Sequence, residues 1–293
     1  MTPPRLVVHV GLPKTATTTM QTDFFPRLDP QAALYLGVFQ PRNRVQDARY
    51  EAIRSVIQGE DSAVGRHALA SALGPRQLVL SEELFTASSS QSIWRDRLAL
   101  LADVVAGVDT AVVVTVREPA AAMASYYTEV GGLVGGRLVS FEEAVGMPDF
   151  DAYRFPSLFG ELERLFGRER IVPVRFRDVV RGDLSALVGV VRGMPPLPIG
   201  VDPHNTTPSH GDPAARKAAR LRLRHALERH RVGRPLTARL ARLVGLAARW
   251  VPALGGPVRK PSSARVAAVR RNVAGDVDWL RARYGIDLSH AAG

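Results

Sequence analysis

The sequence predicts an α/β protein: a central parallel sheet flanked by helices, with a helical, basic C-terminal extension. Three observations carry this expectation. Short apolar runs recur through the first two thirds of the chain: Leu6–Val10, Gln77–Leu80, Ala111–Val116 and Ile171–Phe176. Stretches with apolar residues at helical spacing lie between them, and strands alternating with helices form parallel sheets covered on both faces. Basic residues then concentrate beyond a proline-rich stretch, Met194–Pro208.

Taken in order, Leu6, Val7, Val8 and Val10 form the first strand, broken by Gly11, Leu12 and Pro13. A helix follows, with hydroxyls in its first turn and Met20 and Phe24 continuing it. Leu34–Val38 reads as a short strand. Tyr50–Leu73 is helical with an interruption at Gly59, and Gln77–Leu80 is a strand ending in Ser81, Glu82 and Glu83. Ile93–Ala106 is an amphipathic helix. Ala111–Val116 is the clearest buried strand; it stops at Arg117, Glu118 and Pro119, and a helix runs on through Tyr127. Gly131–Gly136 reads as a glycine-rich loop. Ser140 has the character of a helix cap, with Glu142 and Glu143 in the first turn. Phe155–Phe166 is a helix closed by Gly167, Ile171–Phe176 a strand and Leu184–Val191 a helix. Beyond the prolines, Ala214–Val232, Pro235–Leu254 and Arg265–Tyr284 have helical patterns. The expected division is an α/β core over 1–202 and a basic helical region over 203–293, packed together as one domain.

Composition narrows the chemistry. The 293 residues contain no cysteine, so disulfides and thiolate metal sites are excluded, which suits a reducing cytoplasm. No signal peptide and no transmembrane stretch are expected. The histidines show no metal-ligand spacing. The net charge is +11, unevenly placed: 203–293 hold 18 Lys+Arg against 5 Asp+Glu, the first 202 residues 21 against 23. Such a segment either meets an anionic partner or is a solvated arginine-rich face. The apolar stripe in 235–254 either packs on the core or lies at a membrane surface.

The first strand, a tight turn bearing Lys14 and a helix rich in hydroxyls (Thr15, Thr17, Thr18, Thr19) make an anion cradle. Lys14 follows Gly11 by only three residues and is preceded by Pro13. That spacing is too short for the GxxxxGK[ST] loop that wraps a nucleoside triphosphate. Lys14, Glu82 and Arg117 each follow a strand, so the topology gathers them at the sheet edge where such folds bind ligands.

The stretch PKTATTTMQ (Pro13–Gln21) resembles the 5′-phosphosulfate loop of sulfotransferases that use 3′-phosphoadenosine 5′-phosphosulfate (PAPS). The strand AVVVTV followed by Arg117, Pro119, Ser125 and Tyr126 is similar to that family's 3′-phosphate motif. VLSEELF (Val79–Phe85) is similar to the segment of bacterial members that carries an acidic residue near the acceptor. Phe166, Gly167, the strand IVPVRF and Asp178 look like a further family stretch. The resemblance covers roughly residues 5–210; one departure is Ala16, where members often have glycine.

The resemblance implies a fold like that of P-loop nucleotide triphosphatases, in three layers. It implies sulfuryl transfer from PAPS to a hydroxyl or amine of a glycan, glycolipid or other small molecule. No metal is needed, because a sulfuryl group carries less charge than a phosphoryl group. Lys14 is the expected catalytic cation, with Thr15, Ala16, Thr17, Thr18 and Thr19 around the 5′ end and Arg117 and Ser125 at the 3′-phosphate. Glu82 is the expected base and Glu83 the fallback; the plain reading of Glu82 is a helix-capping acid. Arg117 has its own plain reading, a strand-end salt bridge to Glu118 or Asp103. His9 is expected to support the loop. Two rivals remain: a degenerate fold whose basic tail contacts nucleic acid or lipid, and a P-loop-type nucleotide kinase. A nucleic-acid partner is not expected for the enzyme, whereas peripheral membrane contact through 235–254 is an open alternative.

Overall fold

A computed structural model describes residues 3–38, 46–88, 93–134, 137–201 and 260–288. Five parallel strands form one sheet: β1 (Leu6–His9), β2 (Ala33–Gly37), β3 (Gln77–Ser81), β4 (Thr110–Val116) and β7 (Ile171–Arg175), in the order β2-β3-β1-β4-β7. Every residue of β1 and β4 is buried, as expected for strands in the middle of a sheet covered on both faces. β7 lies at an edge, where Pro173 removes a backbone donor at least cost. The chain leaves β1 toward β2 on one side and later returns to β4 on the other. The crossing point therefore sits at β1, the place where ligands enter such sheets.

The strands alternate their side chains between two layers. Val7, Val79, Val113 and Val174 point into a cluster with Met20, Phe24, Phe25, Leu28 and Tyr35. Leu6, Val8, Leu80, Val112 and Val114 are fully buried on the opposite face. The helix after the first loop starts as α1 (Thr17–Thr19), widens into a π turn over Met20–Phe24 and tightens to a 3-10 turn over Phe25–Arg27. Phe25 stacks on Tyr35 at 5.4 Å and reaches the His9 ring at the same distance, which fixes this helix over β1 and β2.

The remaining helices are α2 (Ala48–Arg54), α3 (Ser62–Ala72), α4 (Trp94–Val104), α5 (Pro119–Glu129), α6 (Phe141–Val145), α7 (Pro148–Asp151), α8 (Phe155–Phe166) and α9 (Phe176–Val180); α7 and α9 are additions to the expected order, and α9 takes Phe176 from the end of the strand. Gly59, at φ 79°, ends the segment that begins with α2, as a glycine past a helix end should. Three expectations change. The 184–191 stretch makes only a 3-10 turn, Ser185–Leu187, because Gly189 at φ 83° turns the chain and the valines around it are weak helix formers. The glycine-rich 131–136 stretch includes β5 (Leu133–Val134), paired antiparallel with β6 (Arg137–Leu138). The 265–284 pattern is two helices, α10 (Ser263–Asn272) and α11 (Ala274–Tyr284), broken where Val273 leaves helical geometry (φ −107°, ψ 10°). The helical patterns over 214–232 and 235–254 lie outside the described residues.

The chain forms two compact units. The first takes in residues 3–119, 152–201 and 274–288, and so contains the sheet. Within it, Arg154 binds Asp276 through Nε (2.6 Å) and Nη2 (3.1 Å), and Glu163 accepts from Arg283 and Tyr284, which ties α11 to α8. The described residues of the second unit are 120–134, 137–151 and 260–273. There Ser140 and Glu143 form a reciprocal capping box on α6. Tyr127 donates to Val139 O (2.8 Å) and meets Phe141 edge-on, so it is core; Arg265 pairs with Glu142. No helix among the described residues is long and apolar enough to cross a membrane.

Candidate anion-binding site

The loop after β1 is shaped by side chains that hold its carbonyls back. Gly11 O accepts from Thr86 Oγ1 (2.9 Å) and Leu12 O from Thr15 Oγ1 (2.7 Å). Pro13 O accepts from the Tyr153 hydroxyl and Lys14 O from Arg117 Nη1, both at 3.1 Å. Four consecutive carbonyls are thus each bound by a side chain. Lys14 (φ 68°) and Ala16 (φ 66°) are left-handed, whereas Thr15 between them is not. The Thr15 N–H closes a turn onto Leu12 O (3.3 Å), and left-handed residues on either side of it bend the backbone into the kind of concavity that takes an anion. With the carbonyls turned away, an anion there meets donors.

Gly11 is required by space. A Cβ at this position would lie 2.2 Å from Thr17 Oγ1 and 3.1 Å from His9 Cε1. Ala16 is the opposite case: it holds a conformation that glycine adopts freely, at a cost of about 1–2 kcal/mol. Ala16→Gly is therefore expected to stabilise the protein by about 0.5–1 kcal/mol, since glycine's larger unfolded-state entropy offsets part of the gain. Denaturant unfolding checks this; a destabilised variant would show that the Ala16 methyl, packed against the core, outweighs the strain.

Side chains alternate along the loop. Lys14, Ala16 and Thr18 are half-buried, whereas Thr15, Thr17 and Thr19 are buried. Thr15 directs its hydroxyl proton to Leu12 O, and Thr17 does so at 3.4 Å. Of the residues expected around an anion, Lys14 and Thr18 thus have side chains within reach of solvent, while Thr15 and Thr17 shape the loop.

His9 lies beneath the loop and is fully buried. Its Nδ1 is 2.9 Å from Ser81 Oγ and its Nε2 3.1 Å from Thr115 Oγ1; Gln21 Nε2 also reaches Ser81 Oγ (3.3 Å). Burial lowers the His9 pKa from 6.5 to about 3, so the folded protein keeps the ring neutral. The unfolded chain takes up a proton below about pH 6.5. Stability is then intact above that pH and falls toward pH 3. Between pH 7 and pH 5 the loss from this group is about 2 kcal/mol. His9→Gln should lose less over the same interval in urea unfolding; equal losses would remove His9 as the cause.

Arg117, at the end of β4, joins the two motifs that the sequence places a hundred residues apart. Besides its bond to Lys14 O, its guanidinium lies 4.4 Å over the Phe176 ring. Burial pushes its pKa below the usual arginine value, while the Glu118 carboxylate and Tyr153 act in the other direction. The alternative partner Asp103 is bound by Arg66 and Ser62 instead. Ser125 lies on α5 in the second unit and is not one of the four side chains that bind the loop carbonyls.

Glu82, expected as the base, is enclosed by its partners. Its side chain is fully buried; Oε2 accepts from the Tyr50 hydroxyl (2.5 Å) and Arg54 Nε (2.8 Å), and Oε1 from Leu84 N (2.9 Å). It caps the 3-10 turn Glu83–Thr86, the plain reading of this residue. Both oxygens are engaged, so neither is turned to an acceptor. Glu83, next in the chain, is half-buried. Sequence reasoning misses Thr86 and Tyr153, which hold the loop. Thr86 follows directly on the VLSEELF segment, whereas nothing local marks Tyr153. The stretch around His204 and His210 lies outside the described residues. Among the described residues no three His, Asp or Glu side chains are grouped as a metal site requires.

No family profile matches the chain, and no curated protein matches it. Among solved structures it is similar to a sulfotransferase from Alicyclobacillus acidocaldarius, at 14% identity and a TM-score of 0.40, over 81% of this chain and 100% of that one. A likeness at that level says nothing about chemistry.

Proposed function

We propose that the chain is a PAPS-dependent sulfotransferase. The observation that carries this reading is the loop itself: four carbonyls held back, two left-handed residues, and a lysine and an arginine at the same place. A site of this kind favours a compact anion, and PKTATTTMQ resembles the phosphosulfate loop of that family. The loop is too short for a triphosphate, which disfavours the kinase alternative. Both cations are present, which disfavours a degenerate binding protein.

In this reading Lys14 and the loop N–H groups hold the 5′ end of the nucleotide, and Arg117 the 3′-phosphate. PAPS supplies the sulfuryl group: the acceptor oxygen bonds to sulfur as the sulfur–oxygen bond to the 5′-phosphate breaks. Negative charge grows on the departing phosphate oxygen, and Lys14 stabilises it there. The acceptor proton goes to a carboxylate. With Glu82 closed off, Glu83 takes that role. The acceptor is a glycan, glycolipid or other small molecule.

The test is a thermal shift with adenosine 3′,5′-bisphosphate, the by-product of transfer. Ligand binding to the native state raises the melting temperature by mass action. Stabilisation by this nucleotide and not by ATP with Mg²⁺ is expected; the reverse pattern would sink the proposal.

A further inference from the structure

We propose that Glu82 is a positioning residue for the anion loop, acting through Thr86. The inference rests on the functional reading above for its ligand, and on geometry alone for its mechanical part. Glu82 is joined to β1 by its own N–H, which donates to His9 O (3.2 Å). Its carboxylate caps the turn Glu83–Thr86 at one end. At the other end Thr86, 1% exposed, shares its hydroxyl between Glu83 O (3.0 Å) and Gly11 O (2.9 Å). The turn is a short rigid bracket that leaves β3 and returns to the first carbonyl of the loop.

The bracket is fixed from outside as well. Tyr50 and Arg54 of α2 bind Glu82 Oε2, so the carboxylate cannot swing away without stranding a buried hydroxyl and a guanidinium. Arg97 of α4, itself buried, donates to Leu84 O at 3.0 Å and reaches Ala87 O. Thr86 therefore has little freedom, and neither does Gly11 O. If this carbonyl turned inward, it would present a partial negative charge where the anion's oxygens sit. Glu82 contributes by keeping that from happening.

A base and a positioning residue predict different behaviour. Glu82→Gln keeps the shape but weakens the bonds to Arg54 and Tyr50. Thr86→Val keeps the shape but removes the hydroxyl, and Thr86→Ser restores it. Each of Glu82→Gln and Thr86→Val is expected to weaken adenosine 3′,5′-bisphosphate binding about tenfold, the effect of one lost hydrogen bond. Thr86→Ser should recover most of the affinity. The double variant should bind no worse than the weaker single one, because both act through one bracket. If Glu82→Gln binds as wild type does while turnover loses its acidic pH limb, Glu82 is the base and the proposal is overturned. Additive losses in the double variant would overturn it too.

Amide exchange over residues 11–18 in the ligand-free protein separates this idea from the functional one. Thr86→Val and Glu82→Gln should speed exchange at the same amides. If wild type fails to bind the nucleotide, the functional reading falls, and exchange alone decides the bracket. Unchanged exchange in Thr86→Val overturns it, even where Glu82→Gln does not fold.

Discussion

Lys14→Ala is expected to slow the release of adenosine 3′,5′-bisphosphate from labelled PAPS by about 10²–10³-fold, the scale seen when one preorganised donor to a growing charge is removed. The loss should fall on turnover more than on nucleotide binding, because in the proposed mechanism the ammonium is needed most when the bridging oxygen becomes anionic. The backbone offers an internal control. Lys14 is left-handed (φ 68°), and alanine there inherits the same strain. Lys14→Gly relieves it, so this variant should be as inactive as the alanine one yet more stable by about 1 kcal/mol. Stability then rises while activity stays lost, which a merely unfolded protein cannot imitate. A wild-type rate in either variant would end the assignment of Lys14.

Arg117→Ala is expected to weaken adenosine 3′,5′-bisphosphate binding by about 10–100-fold, the range for a charge-assisted hydrogen bond. Two effects combine in this number. In the proposed reading the variant removes a cation from the nucleotide, and it releases the Lys14 carbonyl, which accepts from Arg117 Nη1 at 3.1 Å. Arg117→Lys separates them. A lysine keeps the charge but cannot lie flat over Phe176 and reach Lys14 O with a second arm. It is expected to recover only part of the affinity, and calorimetry on the three proteins reads the difference. Full recovery by lysine would mean that charge alone matters and that the carbonyl contact is incidental.

The sheet is legible in the sequence because its central strands β3, β1 and β4 are buried throughout and so read as continuous apolar runs. The loop is legible because Pro13, Lys14 and the threonines are local and dense. What holds the loop is not. Thr86 and Tyr153 lie 75 and 140 residues from the carbonyls that they bind, and no spacing rule connects them. The Glu82 and Glu83 pair shows the limit of a motif: the first is the extended cap of a turn and the second its first residue, so their surroundings differ. Glu82, with φ −151° and ψ 125°, continues the line of β3 and turns inward. Sequence marks the pair but not which member is buried. The valine-rich 184–191 stretch reads as a helix because its apolar spacing allows one; Gly189 decides otherwise.

The loop carbonyls have one more consequence, for the order of events during folding. Leu12 O finds its partner in Thr15 nearby, but Gly11, Lys14 and Pro13 wait for residues 86, 117 and 153, on three separate later segments. Such long closures are slow to form. A nascent chain that stops before Tyr153 has the first strand but lacks the hydroxyl that fixes Pro13. The loop is thus made before three of its partners and completed only after the last of them. In refolding followed by pulsed hydrogen exchange, amides 11–18 should gain protection after those of β1 and β4; simultaneous protection would show that the loop finds its shape without these partners.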